Sequence, residues 1–228
     1  MTPLATQTVR EIALANPASV RVFESLGIDY CCGGKLSLSD ACHQANVSEE
    51  SVLAALANPG FAAPDDTSPW IHASTEALTK HIVDRHHQYV RRETPRLLAL
   101  LEKVISRHGA THPEVISIRD LFVALSQELA THMLKEEQVL FPRLNELEVP
   151  ADVLRQPIAN MLADHDDAGA LLARISALSG GYQPPTGACP TYVALYSGLA
   201  EFQSDLHQHV HLENNILFPR ATGREKGE

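Results

Sequence analysis

The sequence holds little that would grip a polyanion. Its 18 lysines and arginines face 28 aspartates and glutamates, a formal net charge of −10, and they form no basic stripe. Without one, a nucleic-acid backbone has nothing to neutralise it, and that class of partner is excluded. Long apolar runs are also missing: none approaches the ~20 residues that span a bilayer, so no membrane is expected. The opening MTPLATQTVREIALANP has neither a basic region nor the apolar run of a secretory leader, so the expected address is cytoplasmic. Cysteine is scarce, with four residues at 31, 32, 42 and 189, and no CxxC pair or even spacing suggests a disulfide framework. Cys31 and Cys32 are adjacent, with Cα atoms about 3.8 Å apart, closer than an unstrained disulfide wants. They read as thiols. There is no strand signal.

What the chain does have is helical periodicity. Residues 1–58 contain short helices near 8–15, from Pro17, from Ser39 to Ala45 and from Ser48, the last with Glu49 and Glu50 in its first turn to suit the helix dipole. Residues 59–72, within a stretch rich in proline, read as a linker. From 73 to 222 four long helical stretches follow, near 73–107, 114–145, 151–179 and 190–218, joined by HGATHP, NELEVP and GGYQPPTGACP. The expected fold is all-α: a small N-terminal helical domain linked to an up-down-up-down four-helix bundle.

The second and fourth stretches echo one another. THMLKEEQVLFPR (131–143) aligns with QHVHLENNILFPR (208–220) at an offset that puts His209 on His132 and Glu213 on Glu136. His87 stands at nearly the same offset before His165. The bundle thus looks like a duplicated helical hairpin, each half bringing one lone histidine and one H-x-x-x-E. All six fall on apolar stripes: Val83, His87, Val90, Leu97, Leu101 and Val104 in the first helix, and Leu121, Leu125, Leu129, His132, Glu136 and Val139 in the second. The third gives Ile158, Leu162, His165, Leu172 and Ile175, and the fourth runs from Tyr192 through Phe202 to His209, Glu213 and Ile216.

A histidine alone on such a stripe is ordinarily a hydrogen-bonded core residue. Four imidazoles and two carboxylates converging in one core would be very costly without a cation. Nitrogen and oxygen donors without thiolate suit iron or manganese better than zinc, and carboxylates can bridge two such ions. His86 competes with His87 for the first position, and the stripe favours His87. His207 and His211, two residues either side of His209, are expected to face solvent. Glu128 and Asp205 each precede a ligand histidine by four residues and either orient ligands or remain surface charges. In GIDYCCGGKL (27–36), a Gly-Gly turn follows the thiols, which are either redox-active or iron-holding thiolates or small buried apolar residues.

DYCCGGK in a short-helix domain, followed by HMxKEE…LFP and HxxLENNxLFPR, resembles the RIC family (repair of iron centres), with its ScdA-type N-terminal domain and hemerythrin-like bundle. The resemblance covers nearly the whole chain. It implies two non-haem iron ions, oxo- or hydroxo- and carboxylate-bridged, held by His87, His132, Glu136, His165, His209 and Glu213. It implies a role for Cys31 and Cys32 as redox or iron-transfer thiols, and it puts channel-lining acidic residues at Glu128 and Asp164. Its partners are damaged or apo iron–sulfur proteins, with nitric oxide or peroxide as small ligands, in a stress response; a homodimer fits it. The expected function is repair of iron–sulfur clusters by supplying iron. The alternatives are a nitric oxide reductase or peroxide-removing di-iron enzyme, and a hemerythrin-like sensor.

Overall fold

The computed structural model describes residues 4–57, 68–146 and 149–223. Their regular structure is helical, with one isolated bridge between Thr8 and Ser37 and no strand. None of these helices is long and apolar enough to cross a membrane. Residues 58–67, all but the first of them in the segment read as a linker, lie outside the described residues, and 68–71 form a 3₁₀ turn. Contacts divide the chain into two compact units, Met1–Leu78 with His207–Glu228, and Thr79–Leu206.

The smaller unit is built on capped short helices. In α1 (Val9–Ala15) the Thr8 side chain accepts from the Glu11 N–H while Glu11 reaches back to Thr8, a reciprocal box that satisfies two end donors. α2 covers Ser19–Ser25, two residues beyond Pro17. Ser37 caps α3 (Leu38–Ala45) and Ser48 caps α4 (Glu49–Leu56). Their inner faces bury Val9, Ile12, Phe23, Ile28, Tyr30, Leu38 and Val52 in one cluster, each large side chain contributing about 1.5–3 kcal/mol of transfer free energy. The end of the chain joins this unit: Arg220 donates to the carbonyls of Trp70 and Ala73, both at 2.9 Å.

The larger unit is a bundle of long helices. α5 (Thr75–His81) leads through Ile82–His87 into α6 (Gln88–His108). α7 (Glu114–Lys135) continues through Glu136–Leu140 into α8 (Phe141–Leu144). α9 spans Ala151–Leu178, and α10 spans Pro190–His211, with only its part up to Leu206 in this unit. Phe202 of α10 packs edge-on against Phe122 of α7, centroids 5.2 Å apart. Gly198 lets α10 approach α6, because a Cβ there would lie 2.7 Å from Leu97 Cδ2. Leu97, Leu101, Ile118, Phe122, Leu125, Ile158, Leu172, Leu195 and Leu199 fill the middle.

Three wide, π-helical turns interrupt the long helices, at Ile82–His87, Glu136–Leu140 and Leu212–Leu217, the last followed by α11 (Phe218–Ala221). Each contains an expected ligand. In the echoing segments they match closely: the Phe141 N–H reaches back five residues to Glu136, and the Phe218 N–H to Glu213. Such turns shift the helical register and concentrate at functional sites. They correct two stripe assignments. Val139 is 48% exposed, and Leu140 takes the inward place after Glu136. Ile82 rather than Val83 is the fully buried residue before His87, and His86 and His87 are both buried.

Candidate metal centre

In the larger unit Glu136 is fully buried. Its Oε2 lies 3.3 Å from His87 Nε2 and its Oε1 3.1 Å from His132 Nε2. His165 Nε2 stands 3.0 Å from His132 Nε2. The donor atoms of His132, Glu136 and His165 all lie within 4.8 Å of one another, as do those of His87 and Glu136.

The outer ring nitrogens explain what those inner atoms are. His87 Nδ1 is 2.6 Å from Glu137 Oε1, which also accepts from Arg91 Nη2 at 2.6 Å. His132 Nδ1 is 3.3 Å from Asp164 Oδ2, which accepts from Lys135 Nζ at 3.0 Å. Burial pushes the carboxyls of Glu137 and Asp164 upward, but the bonds from His87 and Arg91, and from Lys135 and His132, outweigh it. Both carboxyls therefore sit below their ordinary range. A carboxylate on Nδ1 takes the ring N–H and leaves Nε2 pointing inward as an acceptor rather than a donor. Two such acceptors face Glu136, and neither oxygen of Glu136 accepts a hydrogen bond. Lone pairs opposed in a dry core repel, and a cation between them converts the repulsion into ligation. The residues fit a metal, and the nitrogen–oxygen donor set suits iron or manganese.

The smaller unit carries the repeat of this motif. His209 Nε2 and Glu213 Oε1 are 3.2 Å apart, both buried. The residues after the glutamate differ between the two copies. Where the first has Glu137 turned to a histidine, the second has Asn214 and Asn215 turned to the cysteine loop. Asn214 Nδ2 donates to the Cys31 carbonyl at 3.2 Å, and Asn215 Nδ2 to the Tyr30 carbonyl at 3.0 Å. Pro219, four residues on, has no N–H to offer the Asn215 carbonyl, which accepts from Arg10 Nε at 3.2 Å.

His211 overturns the expectation that it faces solvent, and His207 is half-buried rather than exposed. The His211 ring packs 5.3 Å from the Tyr30 ring and is buried, and burial lowers its pKa to about 4. His207 meets the edge of Tyr30 at 6.2 Å, and burial lowers its pKa as well. The reason is a second covering body: the loop around Tyr30 packs on the helix face that a lone bundle would leave wet.

Cys31 and Cys32 are not joined in a disulfide, and their sulfurs lie 3.9 Å apart. Asp29 Oδ1 accepts from both backbone N–H groups and from the Cys31 thiol, at 3.0, 2.9 and 3.2 Å. The hydrogen bond with Cys32, then burial, then the nearby Asp29 charge raise the Cys31 pKa well above the ordinary thiol value. Cys31 is thus held protonated, against the reading of a ready thiolate.

Glu128 is exposed on α7, and Asp164 is half-buried against His132. Asp205 is buried, with Oδ2 3.1 Å from His86 Nδ1 and Oδ1 3.0 Å from Arg85 Nη1. Sequence reasoning missed Glu137 and the two asparagines. The signal was there in the point at which the repeats stop matching, KEEQ against LENN.

A helical bundle whose core opposes imidazole nitrogens to a buried carboxylate is a hemerythrin-type metal-binding protein. Residues 78–221 match the hemerythrin HHE cation binding domain, and residues 5–59 match ScdA_N, a domain of unknown function. Relatives include the iron-sulfur cluster repair protein YtfE of Pectobacterium carotovorum, 38% identical over 94% of this chain and 96% of its own. YtfE of Edwardsiella ictaluri is 40% identical over 93% and 95%, and a probable iron-sulfur cluster repair protein of Haemophilus influenzae is 36% identical over 95% and 97%. The chain belongs to this family, which joins an ScdA_N domain to a hemerythrin HHE domain.

Proposed function

We propose that the protein repairs damaged iron–sulfur clusters by supplying iron from a dinuclear centre. His87, His132, Glu136 and His165 would hold the ions together with His209 and Glu213. The observation that carries the reading is Glu136, a fully buried carboxylate opposed by imidazole Nε2 atoms at 3.1 and 3.3 Å with no hydrogen bond to either oxygen. That His209 and Glu213 complete the set rests on the repeat and on a family match spanning both motifs. The names of the relatives supply the repair role.

Bound iron would supply an open coordination position and a one-electron couple. The protein's own residues do the rest. Glu137 and Asp164 hold the imidazole rings with Nε2 inward, and the apolar core around Glu136 excludes water. Asn214 and Asn215 keep the Cys31–Cys32 loop at the turn that carries Glu213. The thiols there would receive a departing iron ion, releasing their protons as it binds. Clusters damaged by nitric oxide or peroxide in the cytoplasm are the expected substrates.

The test is iron content and an optical spectrum, followed by restoration of an apo iron–sulfur protein in the presence of sulfide and a reductant. About two irons per chain and restoration that Glu136→Leu and Glu213→Leu abolish are expected. Sustained nitric oxide consumption with an electron donor, without restoration, would replace repair by reduction.

A further inference from the structure

The metal centre leaves one group of reactive side chains unused. Cys189 immediately precedes Pro190, the first residue of α10, and its Sγ lies 3.3 Å from His108 Nε2 at the end of α6. The 21 residues of α6 separate His108 from His87 by about 30 Å along the helix, so this pair is remote from Glu136. His108 stacks obliquely on Tyr192, centroids 5.6 Å apart, and Tyr192 also meets the edge of His112 at 5.7 Å. Tyr192 and Tyr196 oxygens are 3.4 Å apart, and Glu114 Oε1 is engaged by His112 Nδ1 at 2.9 Å.

We propose that Cys189 and His108 form a nucleophile–base pair, and that Cys189 is a site of modification by low-molecular-weight disulfides. The thiolate, not the thiol, attacks sulfur, and an adjacent imidazole and a helix start both favour it. The cluster is arranged for that. His108 is the base in reach, Tyr192 and Tyr196 are neutral neighbours, and Glu114 Oε1 is engaged by His112 and by the Tyr192 hydroxyl. The contrast with the other thiols is physical. Cys31 is buried beside Asp29 and Cys32, and burial raises the pKa of Cys42; Cys189 is partly exposed.

The step is an exchange. His108 takes the proton of Cys189, and the sulfur attacks one sulfur of the small disulfide, whose S–S bond breaks as the new one forms. The released thiolate takes the proton back from His108. Cys189 is oxidised to the mixed disulfide and one small thiol is produced.

The experiment uses the full-length, iron-loaded protein with oxidised glutathione and with iodoacetamide, locating the modified cysteines by peptide mass spectrometry. Cys189 is expected to react at least about tenfold faster than Cys31 or Cys42 at pH 7. His108→Gln should slow Cys189 about tenfold at pH 7, with helix content and iron unchanged. Cys189 reacting no faster than Cys31 and Cys42 in the unmodified protein overturns the proposal whether or not the variant folds. So does a folded His108→Gln variant with an unchanged rate.

Discussion

Asn215 donates its side-chain amide to the carbonyl of Tyr30 at 3.0 Å, tying the residue before the cysteine pair to the wide turn that carries Glu213. Asn215 is buried and also lies 2.9 Å from His211 Nδ1. Replacing it with alanine removes both bonds and leaves a buried carbonyl without its donor, at a cost of about 1–3 kcal/mol. Asn215→Ala should therefore speed hydrogen exchange around residues 29–34 and raise the alkylation rate of Cys32. Unchanged exchange in that loop would show that the amide is not what holds it.

Gly34 meets the same contact from the other side. A Cβ there would lie 3.0 Å from Asn215 Oδ1 and 3.1 Å from the Tyr30 carbonyl oxygen. The second atom is backbone and has little room to give. Gly34→Ala is expected to loosen the loop as Asn215→Ala does, and combining the two should cost less than their sum because they break one contact. Thermal unfolding of the single and double variants checks this, and strict additivity would contradict it.

Glu137 holds the His87 ring from outside at 2.6 Å. Glu137→Gln keeps the shape and removes the charge that fixes the tautomer. Iron affinity should fall about 10–100-fold, with the full stoichiometry recovered at excess iron. Asp164→Asn should do the same through His132, and more weakly, since that contact is longer at 3.3 Å. A competition titration against a chelator gives the affinities, and equal affinity in wild type and Glu137→Gln would remove the residue from the site.

Glu93 provides a pH test away from the metal. Burial would raise its carboxyl, but Arg92 and Arg96, at 3.0 and 2.5 Å, together lower it below the ordinary glutamate value. A carboxyl lowered in the folded state adds stability above its unfolded pKa, and that stability is lost as pH falls through the folded value. Both arginines are largely exposed, so the gain is held under about 1 kcal/mol by solvent screening. Glu93→Gln should unfold at a lower temperature than wild type at pH 7, and the gap should close below the normal glutamate range near pH 4. A gap that persists in acid would assign the effect to packing.

Much of this was legible in the chain. The 3.6-residue period and the glycine–proline joints give the long helices to within a few residues, because both are local properties. The repeat singles out His132, Glu136, His209 and Glu213, because duplicated motifs need no knowledge of packing. Periodicity failed where the helix itself departs from the period. A wide turn at Glu136 sends Val139 outward and Leu140 inward, and another brings Ile82, His86 and His87 all inside.

The sequence by itself determined an all-α protein with two histidine–glutamate motifs and a cysteine pair before two glycines. Only the tertiary structure decided that Glu137 and Asp164 turn imidazole lone pairs toward Glu136, that His211 is covered by Tyr30, and that Cys31 is kept as a thiol. The physical reason is the same in each case. Protonation state and solvation depend on which atoms lie within hydrogen-bonding distance or exclude water, and those atoms come from residues far apart along the chain.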